Sequence, residues 1–171
     1  QHGASGEVSE VGFDEAISTI PLTDLAKILD DSLTAEERQS ASELSYKPIT
    51  VFSVLVDKER CMDGLYTYYR DRVFHRVGEP KNAGLQVTPS SASLLIVEMT
   101  CEIGDEKWTA EVKDKMTQDL VAEGICEIDE ILEIHQRHYQ HGYPVYRLGF
   151  EQHLASVQSG LRRIKNLKSV G

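Results

Sequence analysis

Phe13-Asp-Glu-Ala-Ile-Ser-Thr-Ile-Pro-Leu-Thr-Asp-Leu-Ala-Lys-Ile-Leu-Asp30 is the stretch from which the rest of the chain can be read. Ala16, Ile17 and Ile20 make a short apolar run closed by Pro21, which has no N–H to give to a sheet ladder. Leu22, Leu25, Ala26, Ile28 and Leu29 then recur at helical spacing, with Pro21 or Leu22 at the first helical position. The stretch therefore reads as strand, proline turn and amphipathic helix. Upstream, residues 7–12 alternate through Val8 and Val11 and are expected to pair with 15–20. Downstream, Asp30-Asp31-Ser32 breaks the helix. Thr34 with Glu37 three residues on is a capping box that opens a short helix ending before Pro48.

The next strong element is residues 49–57. Phe52, Val54 and Val56 share one face and Ile49, Val51, Ser53 and Leu55 the other, which predicts an interior strand covered on both sides. Residues 65–70 and 73–77 flank Asp71-Arg72 at hairpin spacing, although neither residue favours positive φ. In 94–103, Leu95, Val97, Met99, Cys101 and Ile103 share a face. The opposite face starts with Leu94 and Ile96, continues with Glu98, Thr100 and Glu102, and so leaves the core halfway along. Trp108, Val112, Met116 and Leu120 predict a helix over 107–123, stopped by Gly124. Residues 132–139 alternate as a strand. A last helix over 150–165 carries Leu154, Val157, Leu161 and Ile164 on one stripe, with Arg162, Arg163 and Lys165 at its C-terminal end. Residues 167–170 begin another strand. The order implies an α+β fold: a mostly antiparallel or mixed sheet of about six strands with helices packed mainly on one face.

The chain has 171 residues, the length of one ordinary domain. Its 28 acidic and 18 basic side chains leave a formal charge of −10, which argues against nucleic acid and anionic membranes as partners. No apolar run approaches the roughly 20 residues of a membrane span. Residues 1–6 lack the basic and apolar regions of a signal peptide and read as a surface lead-in. Cys61, Cys101 and Cys126 are odd in number and contain no Cys-x-x-Cys pair, so reduced thiols and a cytoplasmic location are expected.

Chemistry-bearing patterns are sparse. His135, His138 and His141 tempt a metal assignment, but on a strand the outer two would stand about 20 Å apart, and no metal is expected. No nucleophile elbow occurs, and no catalytic residue is assigned. Glu98 and Glu102 read as a polar sheet face. The aromatic-basic hairpin is more informative: Tyr66 and Tyr68 share a face with Arg70, and Arg76 follows on the next strand with Phe74. Tyrosines beside an arginine suit a planar or phosphorylated ligand. An amphipathic face with half-buried tyrosines would look the same.

The wording of several segments is more specific than their periods. Asp14-Glu-Ala-Ile-Ser-Thr-Ile-Pro-Leu22, Tyr68-Tyr-Arg-Asp71, Phe74-His-Arg-Val-Gly-Glu-Pro-Lys-Asn82, Leu95-Ile-Val-Glu98, Tyr143-Pro-Val-Tyr-Arg-Leu-Gly-Phe-Glu151 and Asn166-Leu-Lys-Ser-Val-Gly171 occur in this order. Together they resemble the substrate-binding domain of flavin-dependent amine oxidoreductases, the group with protoporphyrinogen oxidase-like and UDP-galactopyranose mutase-like proteins. The resemblance implies that residues 1–20 are a lead-in and a strand at the edge of a FAD domain. Residues 21–166 would be the substrate-binding domain, and 167–171 the start of the strand returning to the FAD domain. It implies substrate contacts from Tyr68, Arg76, Asn82, Tyr143 and Tyr146. FAD would belong to the parent protein. None is expected in this chain, which lacks the Gly-x-Gly-x-x-Gly turn and would by itself be inactive.

Three readings follow. In the first, the chain positions a small molecule, anionic by the weak pointer of Arg76, over a flavin held by the FAD domain of the same parent chain. In the second, it is a free-standing module for a small anion or nucleotide sugar, including a UDP-galactopyranose mutase-like role. In the third, it is a structural or interaction domain. Exposed strand ends around 17–22 and 167–170 are expected to give weak self-association.

Overall fold

Two separate apolar clusters hold the chain, and each has its own secondary structure. The computed structural model describes residues 10–101 and 110–170. It divides into two compact units, the described residues of Gln1–Ser45 with Pro144–Gly171, and Tyr46–Tyr143.

The first unit is built on helices α1 (Leu22–Ile28), α2 (Ala35–Glu43) and α4 (Phe150–Arg162), the α3 number falling to a helix of the second unit. Leu22, Leu25 and Ala26 of α1 pack with Leu33, Ala41, Val157 and Leu161, the stripes that the spacing predicts. The capping box forms as expected: Thr34 Oγ1 accepts from Glu37 N and Glu37 Oε2 from Thr34 N. Glu37 reaches further and receives Arg163 through both guanidinium nitrogens, at 2.6 and 2.7 Å. This unit also holds β1 (Ala16–Ser18) and β7 (Leu167–Ser169), which pair in parallel, Ala16 opposite Leu167 and Ser18 opposite Ser169.

The expected partner of 15–20 is the segment 7–12, of which only 10–12 is described. Residues 10–12 form no strand, and residues 7–9 lie outside the described residues. Ala16 N donates to Asn166 O and Val170 N to Ser18 O, so the ladder groups of β1 go to the far end of the chain.

The second unit is an antiparallel sheet in the order β3-β4-β5-β2-β6, from β2 (Tyr46–Val56), β3 (Tyr66–Tyr68), β4 (Arg76–Gly78), β5 (Ser93–Thr100) and β6 (Ile131–Pro144). β6 runs against β2, with Asp57 N on Glu130 O at one end and His141 edge-on to Tyr46 at the other. Helix α3 (Ala110–Ala122) covers one face, placing Met116 and Leu120 against Phe52, Val54, Val56, Val77, Leu95, Val97 and Met99. Each such side chain, fully buried, contributes roughly 1.5–3 kcal/mol. Gly124, at φ 68°, ends α3 as the sequence predicts. The expected helix start at 107–109 with Trp108, the turn at 104–106 and the strand tail at 102–103 lie outside the described residues.

Two expectations need correction. β2 is interior in strand order, but only one of its faces is buried: Val51, Ser53 and Leu55 stay half-exposed opposite the α3 side. The expected two-residue hairpin at Asp71-Arg72 is a seven-residue connection between β3 and β4. The connection is pinned where a tight turn would be free. Arg72 binds Glu123, Val73 N donates to Asp119 Oδ2, and Phe74 is buried with its ring edge-on to Tyr69. Phe74, expected beside Arg76, therefore enters the core while Arg76 faces the other way. Among the described residues no helix is long and apolar enough to cross a membrane.

Candidate functional site

The face of the sheet opposite α3 gathers the polar and aromatic side chains of the candidate site. Strand register puts Tyr68 opposite Arg76, Arg76 opposite Glu98 and Glu98 opposite Val51, a single rung across β3, β4, β5 and β2. The neighbouring rung is Tyr66, Gly78, Ile96 and Ser53. Side chains two apart on a strand share a face, so both rungs look out from the same side.

Glu98 is the centre. Only 8% exposed, it takes the Arg76 guanidinium on Oε1 and the Tyr143 hydroxyl on Oε2 at 2.7 Å. His75 Nε2 lies 3.8 Å from Oε2, and His75 N donates to the Glu98 carbonyl. Arg76 also sits over two rings, 5.6 Å from the Tyr66 centroid and 5.9 Å from that of Tyr68, and those rings meet edge to face. Such cation–π contacts hold a guanidinium in place without removing its charge.

The protonation states follow from these contacts. Burial pushes the Glu98 carboxyl up, but the hydrogen bonds from Arg76 and Tyr143 outweigh it and its pKa lies below the ordinary value. Arg76 is held even more firmly protonated by its bond to Glu98. Burial raises the Tyr143 phenol, with the Glu98 bond adding to it. Burial lowers His75 against the pull of Glu98, favouring the neutral ring, whose buried Nδ1 has no hydrogen-bond partner among the described residues.

A groove of about 230 Å³ opens beside this cluster, with Arg76 and Glu98 at its polar end and Tyr66, Leu85 and Ile96 among its walls. Gly78 makes room for it. A Cβ there would come within 3.3 Å of Leu65 O and 3.6 Å of Tyr66 Cβ.

Of the residues expected to touch substrate, Tyr68, Arg76 and Tyr143 come together through Glu98. Asn82 sits in the 3-10 turn Pro80–Ala83, where its amide nitrogen donates to Met62 O, Gly64 O and Glu79 Oε2. Tyr146 belongs to the other unit, exposed and 4.8 Å from the Phe150 ring. The three histidines have different partners: His135 pairs with Glu133, His138 with Thr50, and His141 packs edge-on to Tyr46. No group of metal-ligating side chains forms among the described residues.

Glu98 is the residue that sequence reasoning undervalued, grouping it with Glu102 as polar surface. The signal was present. A carboxylate on the face of Leu94 and Ile96 in an apolar strand needs a cation or several donors once the sheet closes over it. Glu79 was missed too: fully buried, it accepts from Cys61 N, Met62 N, Asn82 and Ser93 Oγ, tying the loop after β2 to the β4–β5 connection.

No family model and no curated protein sequence matches this chain. Solved structures do. Reduced UDP-galactopyranose mutase superimposes with a TM-score of 0.72 at 18% identity over 96% of this chain and 36% of its own. A protein assigned as a protoporphyrinogen oxidase from Exiguobacterium sp. 255-15 gives 0.65 at 15% identity over 92% of this chain and 36% of its own. Putrescine oxidase bound to putrescine gives 0.60 at 13% identity over 90% and 36%. These likenesses establish the fold, and the chain spans about a third of the length of the structures it matches.

Proposed function

We propose that this chain is the substrate-binding part of a FAD-dependent oxidoreductase of the amine-oxidoreductase type, with the open sheet face as one wall of the substrate pocket. The observation that carries the reading is the rung Tyr68–Arg76–Glu98 with Tyr143, displayed on the face opposite α3 of a sheet whose fold recurs in three redox-associated enzymes. Tyr68 and Arg76 would touch the substrate, and Tyr143 and Glu98 would hold Arg76 in position. Asn82 and Glu79 would fix the loops at the rim. FAD, when bound in the parent, supplies hydride or electron transfer.

The β1–β7 pair supports a larger assembly. Parallel strands occur in sheets covered on both faces, whereas β1 and β7 form a parallel pair that leaves Ile17 and Val170 exposed. A flavin-binding domain of the same polypeptide, continuing that sheet, is the proposed partner.

The test is the reading frame around this segment and its full-length product. A Gly-x-Gly-x-x-Gly turn after an upstream strand and a purified protein with flavin absorbance are expected. Arg76→Ala in that product should weaken substrate binding while flavin content holds. A frame with no dinucleotide-binding segment would end the proposal. Loss of flavin with unchanged substrate affinity would move Arg76 to a structural role.

A further inference from the structure

We infer that the groove on the open face takes an uncharged, largely apolar molecule with a flat ring system and a hydrogen-bond acceptor at one end. The inference deepens the proposed substrate-binding role and rests on the open face being the substrate's wall.

The first ground is charge. Three charged side chains line the groove: Arg76, Glu79 and Glu98. Arg76 is paired with Glu98, whose second oxygen holds the Tyr143 hydroxyl. Glu79 is buried and accepts from two backbone N–H groups, an amide and a hydroxyl. Lys81, the nearest other cation in the chain order, binds the carbonyls of Glu59, Ser90 and Ala92. A phosphate or carboxylate would therefore lose its water beside two carboxylates and one guanidinium that is already neutralised, which is unfavourable. An ammonium reaches neither carboxylate openly: Glu79 is fully buried, and each oxygen of the buried Glu98 already accepts a hydrogen bond, so the cation would lose its water without an open partner.

The second ground is shape and surface. Leu65, Tyr66, Pro80, Leu85 and Ile96 supply apolar walls, and Leu65, Tyr66 and Leu85 are largely exposed. Gly78 lines the groove without a side chain, and a Cβ there would stand 3.6 Å from the Cβ of Tyr66, whose ring is exposed. A flat apolar body can lie against that ring. The Arg76 guanidinium has five N–H groups, more than its bond to Glu98 uses, and the surplus can reach a carbonyl or hydroxyl oxygen at the polar end.

Three probes that share one naphthalene body test this on the purified chain: 2-naphthol, 2-naphthoate and 2-naphthylmethylammonium, each titrated near neutral pH by ligand-observed NMR. 2-Naphthol should bind saturably with a Kd at least roughly tenfold below those of the two ions. Gly78→Val, which gives that lining position a side chain, should raise its Kd by roughly tenfold or more. Leu85→Ser, an exposed change that the fold tolerates, should raise it in the same direction and guards against a misfolded Gly78 variant. Tightest binding of naphthoate, tightest binding of the ammonium, or no saturable binding of any probe overturns the inference. The outcome is separable from the proposed function. A flavin-containing full-length protein whose groove prefers naphthoate sinks only this inference, and naphthol binding in a protein without a flavin domain sinks only the other.

Discussion

Replacing Glu98 by glutamine removes a charge and changes little in shape, so it isolates the ion pair at the centre of the site. The carboxylate is 8% exposed and bonded to both Arg76 and Tyr143. Breaking a buried pair costs about 3–5 kcal/mol, because an uncompensated charge is left behind. Arg76 keeps 29% of its side chain in water and keeps two aromatic faces, which brings the expected loss to about 2 kcal/mol. At a urea m-value of about 1–3 kcal/mol per molar, the unfolding midpoint should fall by about 1 M. Far-UV circular dichroism on the parent chain, Glu98→Gln, Arg76→Met and the double variant reads it directly. The double variant should lose less than the sum of the singles, with a coupling of about 1–2 kcal/mol. A midpoint shift below about 0.2 M with additive single losses would refute the reasoning, since a solvent-screened pair behaves that way. Because the folded Glu98 pKa lies below the ordinary 4.5, the contribution is complete above that value and is lost as pH falls through the lower folded one.

Three further outcomes are expected. The bond from Arg163, then that from the Thr34 backbone, lowers the Glu37 pKa from 4.5 to about 2; stability from this group should fade as pH drops through that window, and a Glu37→Gln chain melting with the same acid slope as the parent would remove the assignment. Gly160→Ala should destabilise by about 1–3 kcal/mol despite the better helix propensity of alanine, because a Cβ would stand 2.8 Å from Glu37 Cδ and Leu33 Cδ2; a higher melting temperature would contradict this packing. Burial pushes Cys61 and Cys126 up to about 11, so a thiol reagent at neutral pH should label them slowly until urea unfolds the chain, and rapid labelling of both in the folded state would be the contrary result.

Much of the chain was legible without coordinates, and the legible parts are local. The helix after Pro21, the Thr34–Glu37 capping box, the Gly124 stop and the alternating faces of β2 and β5 depend on residues within one or two turns of each other. Backbone geometry and short-range hydrogen bonding settle such features wherever the segment is placed. Tyr68, Arg76 and Tyr143 could be singled out from the sequence as well, by residue type and by family wording. What joins them could not. Glu98 meets Arg76 from 22 residues away and Tyr143 from 45, and β1 finds its partner at Leu167 rather than next door. The β3–β4 connection lengthened because Asp119, Glu123 and the core claimed Val73, Arg72 and Phe74. Each of these is a long-range choice. Period-two alternation says which residues share a face, but only the register across four strands says which of them touch, and burial of Glu98 made that register decisive.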